Sequence, residues 1–126
     1  MEELRFNSSG THAVFLANIN TFFAALFALS IFQNGWRDDK LGSRSVLQQC
    51  LDWFRQMYEG GRTGNRFHIA ARNTARKDLS GRIQMILHYV AMFADESDIE
   101  SLLNTGVVSK RTKTRARRSA QTVSAN

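Results

Sequence analysis

The sequence has no proline and only one cysteine among its 126 residues. Because proline interrupts helices and is used at turns and sheet edges, its absence favours a helical chain. Cys50 alone excludes an internal disulfide framework and a zinc site built from several cysteines. A single unpaired cysteine is consistent with a reducing compartment, and we predict a cytoplasmic protein, with membrane association as the alternative.

The sequence also lacks a catalytic constellation. His12, His68 and His88 are far apart and do not have the spacing of metal ligands. The glycine-rich stretch 60–64 lacks the lysine–serine pair and the preceding strand of a phosphate loop. Cys50 lies in an apolar helical stripe without a neighbouring base that would make it a nucleophile. We therefore expect no enzyme activity, no metal or other cofactor, and no small-molecule substrate.

The net charge of +6 comes entirely from the end of the chain. Residues 1–106 contain as many acidic as basic side chains, whereas residues 107–126 contain no acid. The basic residues of this second segment are Lys110, Arg111, Lys113, Arg115, Arg117 and Arg118. The segment has no apolar periodicity, and we predict a disordered, flexible tail. Its charge can attract nucleic acid, anionic lipid or an acidic protein, and it can equally serve as a solubilising extension.

Residues 12–33 carry no formal charge and are rich in Phe, Leu and Ala. A membrane span through residues 13–32 would have the required length of about 20 residues. Asn18 and Asn20 oppose this interpretation, because hydrocarbon cannot satisfy their amides. A secretory signal is less favoured than a membrane span, because acidic residues rather than a basic cluster precede this uncharged stretch. We favour a single helix that its neighbours bury on nearly all sides and that ends at Asn34–Gly35.

Apolar spacing and end signals predict three further helices. The second covers about residues 43–59, and the third covers about residues 63–94. A fourth begins at a capping box formed by Ser97 and Glu100 and ends at Gly106. The apolar seam of the third helix consists of Ala71, Ala75, Leu79, Ile83, Ile86, Val90 and Phe93.

The predicted fold is therefore all-α, an antiparallel up-and-down bundle of three longer helices plus a short fourth helix. The helical bundle domain covers residues 1–106, and the basic flexible tail covers residues 107–126. Gly81 interrupts the third helix at a cost of about 1 kcal/mol relative to alanine. We take it as the mark of a close helix crossing or a slight bend.

A polar stripe on the third helix is the candidate binding surface within the bundle. The stripe consists of Arg66, Asn73, Lys77, Ser80 and Gln84, and arginines such as Arg76 flank it. A solvated helix face explains this pattern, and so does a surface for an anion or a phosphate backbone. Cations near a helix N-terminus oppose the macrodipole, which keeps the binding interpretation open. The candidate contacts are Arg66, Asn73, Arg76 and Lys77, together with the tail cations.

Three segments resemble a family of small bacterial helical proteins: AARNTARKDL at 70–79, HYV at 88–90 and LLNTG at 102–106. Members of that family carry an AARNAAR-like helix, a YV step and a closing L-x-x-G. In some of them a fibronectin type III domain follows. The resemblance extends from Tyr58 to Gly106 and implies a helical bundle without implying an activity. The basic tail and the very apolar first helix depart from the family pattern.

These observations give three functional hypotheses. The first is a non-enzymatic helical bundle that associates with itself or with another protein. The second is nucleic-acid binding through the basic tail and the basic face of the third helix. The third is a single-pass membrane anchor through residues 13–32.

Overall fold

The computed structural model describes residues 2–112 and confirms an all-α protein with one small two-stranded sheet. The helices are α1 (His12–Phe27), α2 (Ser30–Gln33), α3 (Asp38–Leu41), α4 (Arg44–Gly61), α5 (Arg66–Phe93) and α6 (Glu96–Leu103). The strands are β1 (Glu2–Phe6) and β2 (Val108–Thr112). The three longer helices predicted from the sequence correspond to α1, α4 and α5, and the short one corresponds to α6.

Helix α1 supplies the centre of the core. It begins after Thr11, whose side-chain oxygen accepts a hydrogen bond from the backbone N–H of Val14 at 3.2 Å. Large apolar residues then recur at steps of one, three or four and turn inward. The buried residues of α1 are Phe15, Ile19, Phe22, Phe23 and Leu26. Five aromatic or branched side chains of this size account for much of the apolar area that folding removes from water.

The prediction of one continuous helix over residues 12–33 is wrong. Helix α1 ends at Phe27, Leu29 has an extended backbone, and a separate turn of helix, α2, begins at Ser30. The break turns Leu29 into the core, where 3% of its surface stays exposed. Within residues 2–112, no helix combines the length and the apolar character needed to cross a membrane.

The carboxylate of Asp98 accounts for the break. It accepts hydrogen bonds from the backbone N–H of Ser30 at 3.2 Å, the N–H of Ile31 at 2.9 Å and the Ser30 hydroxyl at 2.9 Å. The N–H groups in a first helical turn have no partner inside their own helix. A negative charge at that point satisfies them and also complements the helix dipole. Asp98 is 6% exposed, and it attaches α6 to the start of α2.

Helices α4 and α5 form an antiparallel hairpin joined by the short connection 62–65. The side chain of Ser43 caps α4, and the side chain of Asn65 caps α5. Gly60 lies against the ring of His68, and a Cβ at Gly60 would overlap that ring. The two helices therefore approach closely at this point. These boundaries agree with the predicted second and third helices.

One face of α5 is buried along most of its length. The buried residues are Ala75, Leu79, Ile83, Ile86, Leu87 and Val90, which confirms most of the predicted seam. Phe93, which was predicted to be its last member, is 63% exposed. A close crossing at Gly81 is not found within the described chain, because a Cβ added there would project into open space.

Helix α6 starts two residues earlier than a cap at Ser97 would allow. Its N-cap is Asp95, whose carboxylate accepts a hydrogen bond from the N–H of Asp98 at 2.9 Å. The predicted capping box of Ser97 and Glu100 is therefore wrong. The predicted end at Gly106 comes late, because α6 ends at Leu103 and its C-cap is Asn104. Gly106 follows in the connection to β2, and its φ of 82° is a conformation that favours glycine.

The two ends of the described chain pair in an antiparallel ribbon. Strand β1 lies against β2 with Leu4 opposite Lys110 and Phe6 opposite Val108. The side chains of Leu4 and Val108 are buried on the helices. Residues 108–112, which the sequence pattern assigned to the flexible tail, thus form a strand. The rest of that tail, residues 113–126, lies outside the described residues.

Replacement of Asp98 by alanine removes the acceptor of both backbone N–H groups at the start of α2. We expect Asp98→Ala to lower the free energy of unfolding by about 3 kcal/mol, measured by urea denaturation followed by circular dichroism. Glu100→Ala changes an exposed acid on the same helix and should cost less than about 0.5 kcal/mol. Equal losses in the two variants would contradict the role assigned to Asp98.

Candidate functional site

Three of the four predicted contacts on α5 share one exposed flank of the helix. Arg66 is the first residue of α5, and Asn73 and Lys77 follow it at helical spacing. All three side chains are exposed. The Nε of Arg72 donates to the Oδ1 of Asn73 at 3.3 Å. Lys77 also lines a surface depression of ≈ 460 Å³ beside Gly81. The flank is accessible to a partner.

Arg76, the fourth predicted contact, has a different role. Its Nη2 donates to the backbone carbonyls of Ser8 and Gly10, both at 2.8 Å. Its guanidinium lies over the ring of Phe15, 4.3 Å from the ring centroid, as a cation–π contact. Arg76 therefore anchors the segment before α1 to α5 through its guanidinium, and its role as an anion contact stays a prediction.

His12 lies beside this anchor. Burial lowers the pKa of its ring below the ordinary value, and the positive charges of Arg72 and Arg76 lower it further. Burial and the charge of Arg72 also lower the pKa of Arg76, which stays protonated. The Nη1 of Arg76 lies 3.0 Å from the Nδ1 of His12. A neutral ring accepts this hydrogen bond, whereas a protonated ring cannot.

The tail cations are divided between described and undescribed residues. Lys110 is exposed and, like Arg111, lies in β2. The predicted contacts outside the described residues are Lys113, Arg115, Arg117 and Arg118. Their role in binding stays a prediction.

Several other arginines are paired with acids on their own helices. Arg55 lies 3.1 Å from Asp52 on α4, and Arg82 lies 3.1 Å from Asp78 on α5. Exposed pairs of this kind contribute little to stability, but the acids offset local positive charge. A phosphate at this surface would therefore meet a mixed field rather than a basic one.

The described residues contain no candidate metal site. Between Glu2 and Thr112, no three His, Cys, Asp or Glu side chains form a group that could hold a metal ion. Cys50 is half-buried in a groove of ≈ 210 Å³ between α4 and α5, beside Val46, Trp53 and Ala75. A groove of this size and composition suits an apolar side chain better than a ligand of ordinary size.

A second apolar pattern on α5 is the feature that the sequence reasoning missed. Phe67, Met85 and Met92 are 67%, 53% and 72% exposed. Phe67 and Met85 are five helical turns apart and Met92 is about two turns further on, so all three lie on one face of the helix. The signal was present in the sequence as apolar residues out of phase with the core seam. The inner apolar seam alone suffices to predict the helix, so these three residues were not singled out.

Exposed aromatic surface continues at the C-terminal end of α5. The ring of Phe93 lies 4.9 Å from that of Tyr89, which lies 5.5 Å from Trp36. Trp36 in turn lies 4.9 Å from Phe32, which packs against the core. These rings form an unbroken aromatic path from the interior to the surface. Among the described residues, α5 thus bears four exposed large apolar side chains, whereas Val14 lies on α1 and Val46 and Trp53 lie on α4.

Comparisons of the chain with models of protein families, with known proteins and with solved structures give no match. The resemblance carried by AARNTARKDL, HYV and LLNTG therefore stays a prediction. The function has to be argued from the surface itself.

Protonation of His12 should destabilise the fold. The folded-state pKa of the ring lies below its unfolded value of about 6.5, so the unfolded chain takes up the proton first. The contribution of the neutral ring is complete above about pH 6.5 and is lost as the pH falls through the folded-state pKa. We therefore expect the melting temperature to fall between about pH 7 and about pH 5, measured by circular dichroism.

His12→Asn should reduce this pH dependence, because asparagine can accept the hydrogen bond of Arg76 but does not titrate. His88→Asn is the matched control, since the His88 ring lies near Gln84 instead, at 3.3 Å. That control should retain the dependence attributed to His12. A pH dependence in His12→Asn equal to that of the wild type would show that His12 is not responsible.

Proposed function

We propose that this protein is a non-enzymatic helical module that acts by associating with protein chains, in the first place with copies of itself. One observation carries the proposal: the outer face of α5 bears Phe67, Met85 and Met92, all exposed. Isolated exposed apolar side chains are ordinary in soluble proteins. Three of them on one face of one helix form the kind of extended apolar surface that marks an interaction site.

The rigidity of α5 favours this function. Its inner face is fixed by burial, and Arg76 ties it to the segment before α1. A surface on such an element is preorganised, so that little conformational entropy is lost on binding. The helix is about 42 Å long, a length on which a standard interface of about 800 Å² per partner fits. The lone cysteine, Cys50, favours a cytoplasmic setting for this association.

Nucleic-acid binding is the alternative hypothesis. The exposed side chains of Arg66 and Lys77 support it, whereas the internal contacts of Arg76 and the pairing of Arg82 with Asp78 weaken it. The tail can be tested for this role by removing residues 113–126. A cut that begins at residue 109 would also remove most of β2 and uncover the core.

The membrane-anchor hypothesis loses its helix, because residues 13–32 are divided between α1 and α2.

Sedimentation equilibrium from about 1 µM to about 500 µM tests the self-association directly. We expect the mean mass to rise with concentration from 14.3 kDa towards a fixed multiple of that value. Circular dichroism at the lowest concentration serves as a control that the chain stays folded when diluted. A mass of 14.3 kDa over the whole range would contradict self-association.

A further inference from the structure

The outer face of α5 has the spacing of a helix-pairing seam. We define the outer seam as Phe67, Ala70, Thr74, Gly81, Met85 and Met92, all of which are exposed. Their positions advance by three, four or seven residues, which is the repeat by which one helix keeps a stripe facing another. The buried seam of α5 lies on the opposite side. The outer seam, which the polar residues Asp78 and His88 interrupt, is not covered by the described chain.

The outer seam has its small side chains in the middle and its large ones towards the two ends. Phe67, Met85 and Met92 are bulky, whereas Ala70, Thr74 and Gly81 are small. Gly81 lies beside a surface depression of ≈ 460 Å³, and a Cβ added there would meet no atom of the chain. No contact within the described residues therefore explains a glycine in the middle of this helix. The open space leaves room for a second helix to approach α5 closely at this point.

Charge is distributed unevenly along α5 and its flanking residues. Arg66 lies at the N-terminal end, close in sequence to Arg62, which pairs with Glu59 at 3.7 Å. Asp95 and Glu96 lie just beyond the C-terminal end. Two copies of α5 side by side in the same direction would bring like charges together at both ends. Two copies in opposite directions would bring the arginines of each copy to the acids of the other. The antiparallel arrangement is therefore the electrostatically complementary one.

We propose that the outer seam of α5 binds the same seam of a second copy of this chain, with the two helices antiparallel about a twofold axis near Ser80. This inference rests on the proposed self-association and specifies its surface. In this arrangement Phe67 of each copy faces Met92 of the other, and Met85 faces Thr74. Such an isologous contact is closed, so it gives a dimer rather than a filament.

The middle of the helix fits the same arrangement. Asp78 and Arg82 stand on either side of Ser80 and pair with each other at 3.1 Å within one chain. They lie on the same flank of α5, and the twofold axis places Asp78 of each copy opposite Arg82 of the other. The four side chains then form a mixed-charge cluster beside the seam. This gives the interface a polar rim of the usual kind.

A charge placed on the seam tests the surface. Met85 is exposed in the single chain, so Met85→Glu should fold normally but bury a carboxylate at the interface twice per dimer. We expect the dissociation constant from sedimentation equilibrium of the full chain to rise at least about tenfold. Val14→Glu makes the same kind of change at an exposed site on α1. This control should alter the dissociation constant by less than about twofold.

Charge reversal at the ends tests the direction. Arg66→Glu and Glu96→Arg should each raise the dissociation constant by about three- to tenfold, and the double variant should restore most of the affinity. The melting temperature of each variant at low concentration is the folding control. A double variant that associates more weakly than both single variants would overturn the antiparallel arrangement.

The results separate this inference from the proposed function. A dimer that is insensitive to Met85→Glu would overturn the outer seam as the contact and leave self-association standing. A wild-type chain that stays monomeric would overturn both. A dimer that is weakened by Met85→Glu but not by Val14→Glu supports the seam.

Discussion

The fold depends on burial of the inner face of α5. Helix α4, strand β1 and helix α3 all contact α5, and the side chains of Leu79, Ile83, Ile86 and Val90 are completely buried. Burial of an apolar side chain of this size contributes about 1.5–3 kcal/mol. Because a helix is a rod with fixed angles between its residues, burial of one face also fixes the direction of the other. The exposure of the outer seam is thus a direct consequence of the core.

Two charged side chains connect the outlying segments to this rod. Arg76 donates to the carbonyls of Ser8 and Gly10 and so holds the approach to α1 against α5. Asp98 accepts hydrogen bonds from the first turn of α2 and so holds the end of the apolar run against α6. Each replaces contacts with water by charge-assisted hydrogen bonds that are partly buried. Charge on these two residues therefore serves the fold rather than a ligand.

The parts of the fold that are local in sequence could be predicted. Asn65 and the glycine pair at 60–61 place the α4–α5 hairpin. The break at Leu29 could not be read in the same way, because it depends on Asp98, which is 68 residues from Ser30. The pairing of β1 with β2 is non-local for the same reason. Of the candidate site, the exposed flank was predictable from periodicity, but the anchoring role of Arg76 depends on distant carbonyl groups.

The account predicts that α5 has one face for its own core and one for an antiparallel second copy. Electron–electron distances between nitroxide labels test this directly, with Cys50 replaced by alanine and single labels at Lys77 or Ala91, both exposed. An antiparallel pair centred near Ser80 separates the two Lys77 labels by about 8 Å along the helix and the two Ala91 labels by about 35 Å. Short distances at both positions would contradict the account, because they require parallel helices.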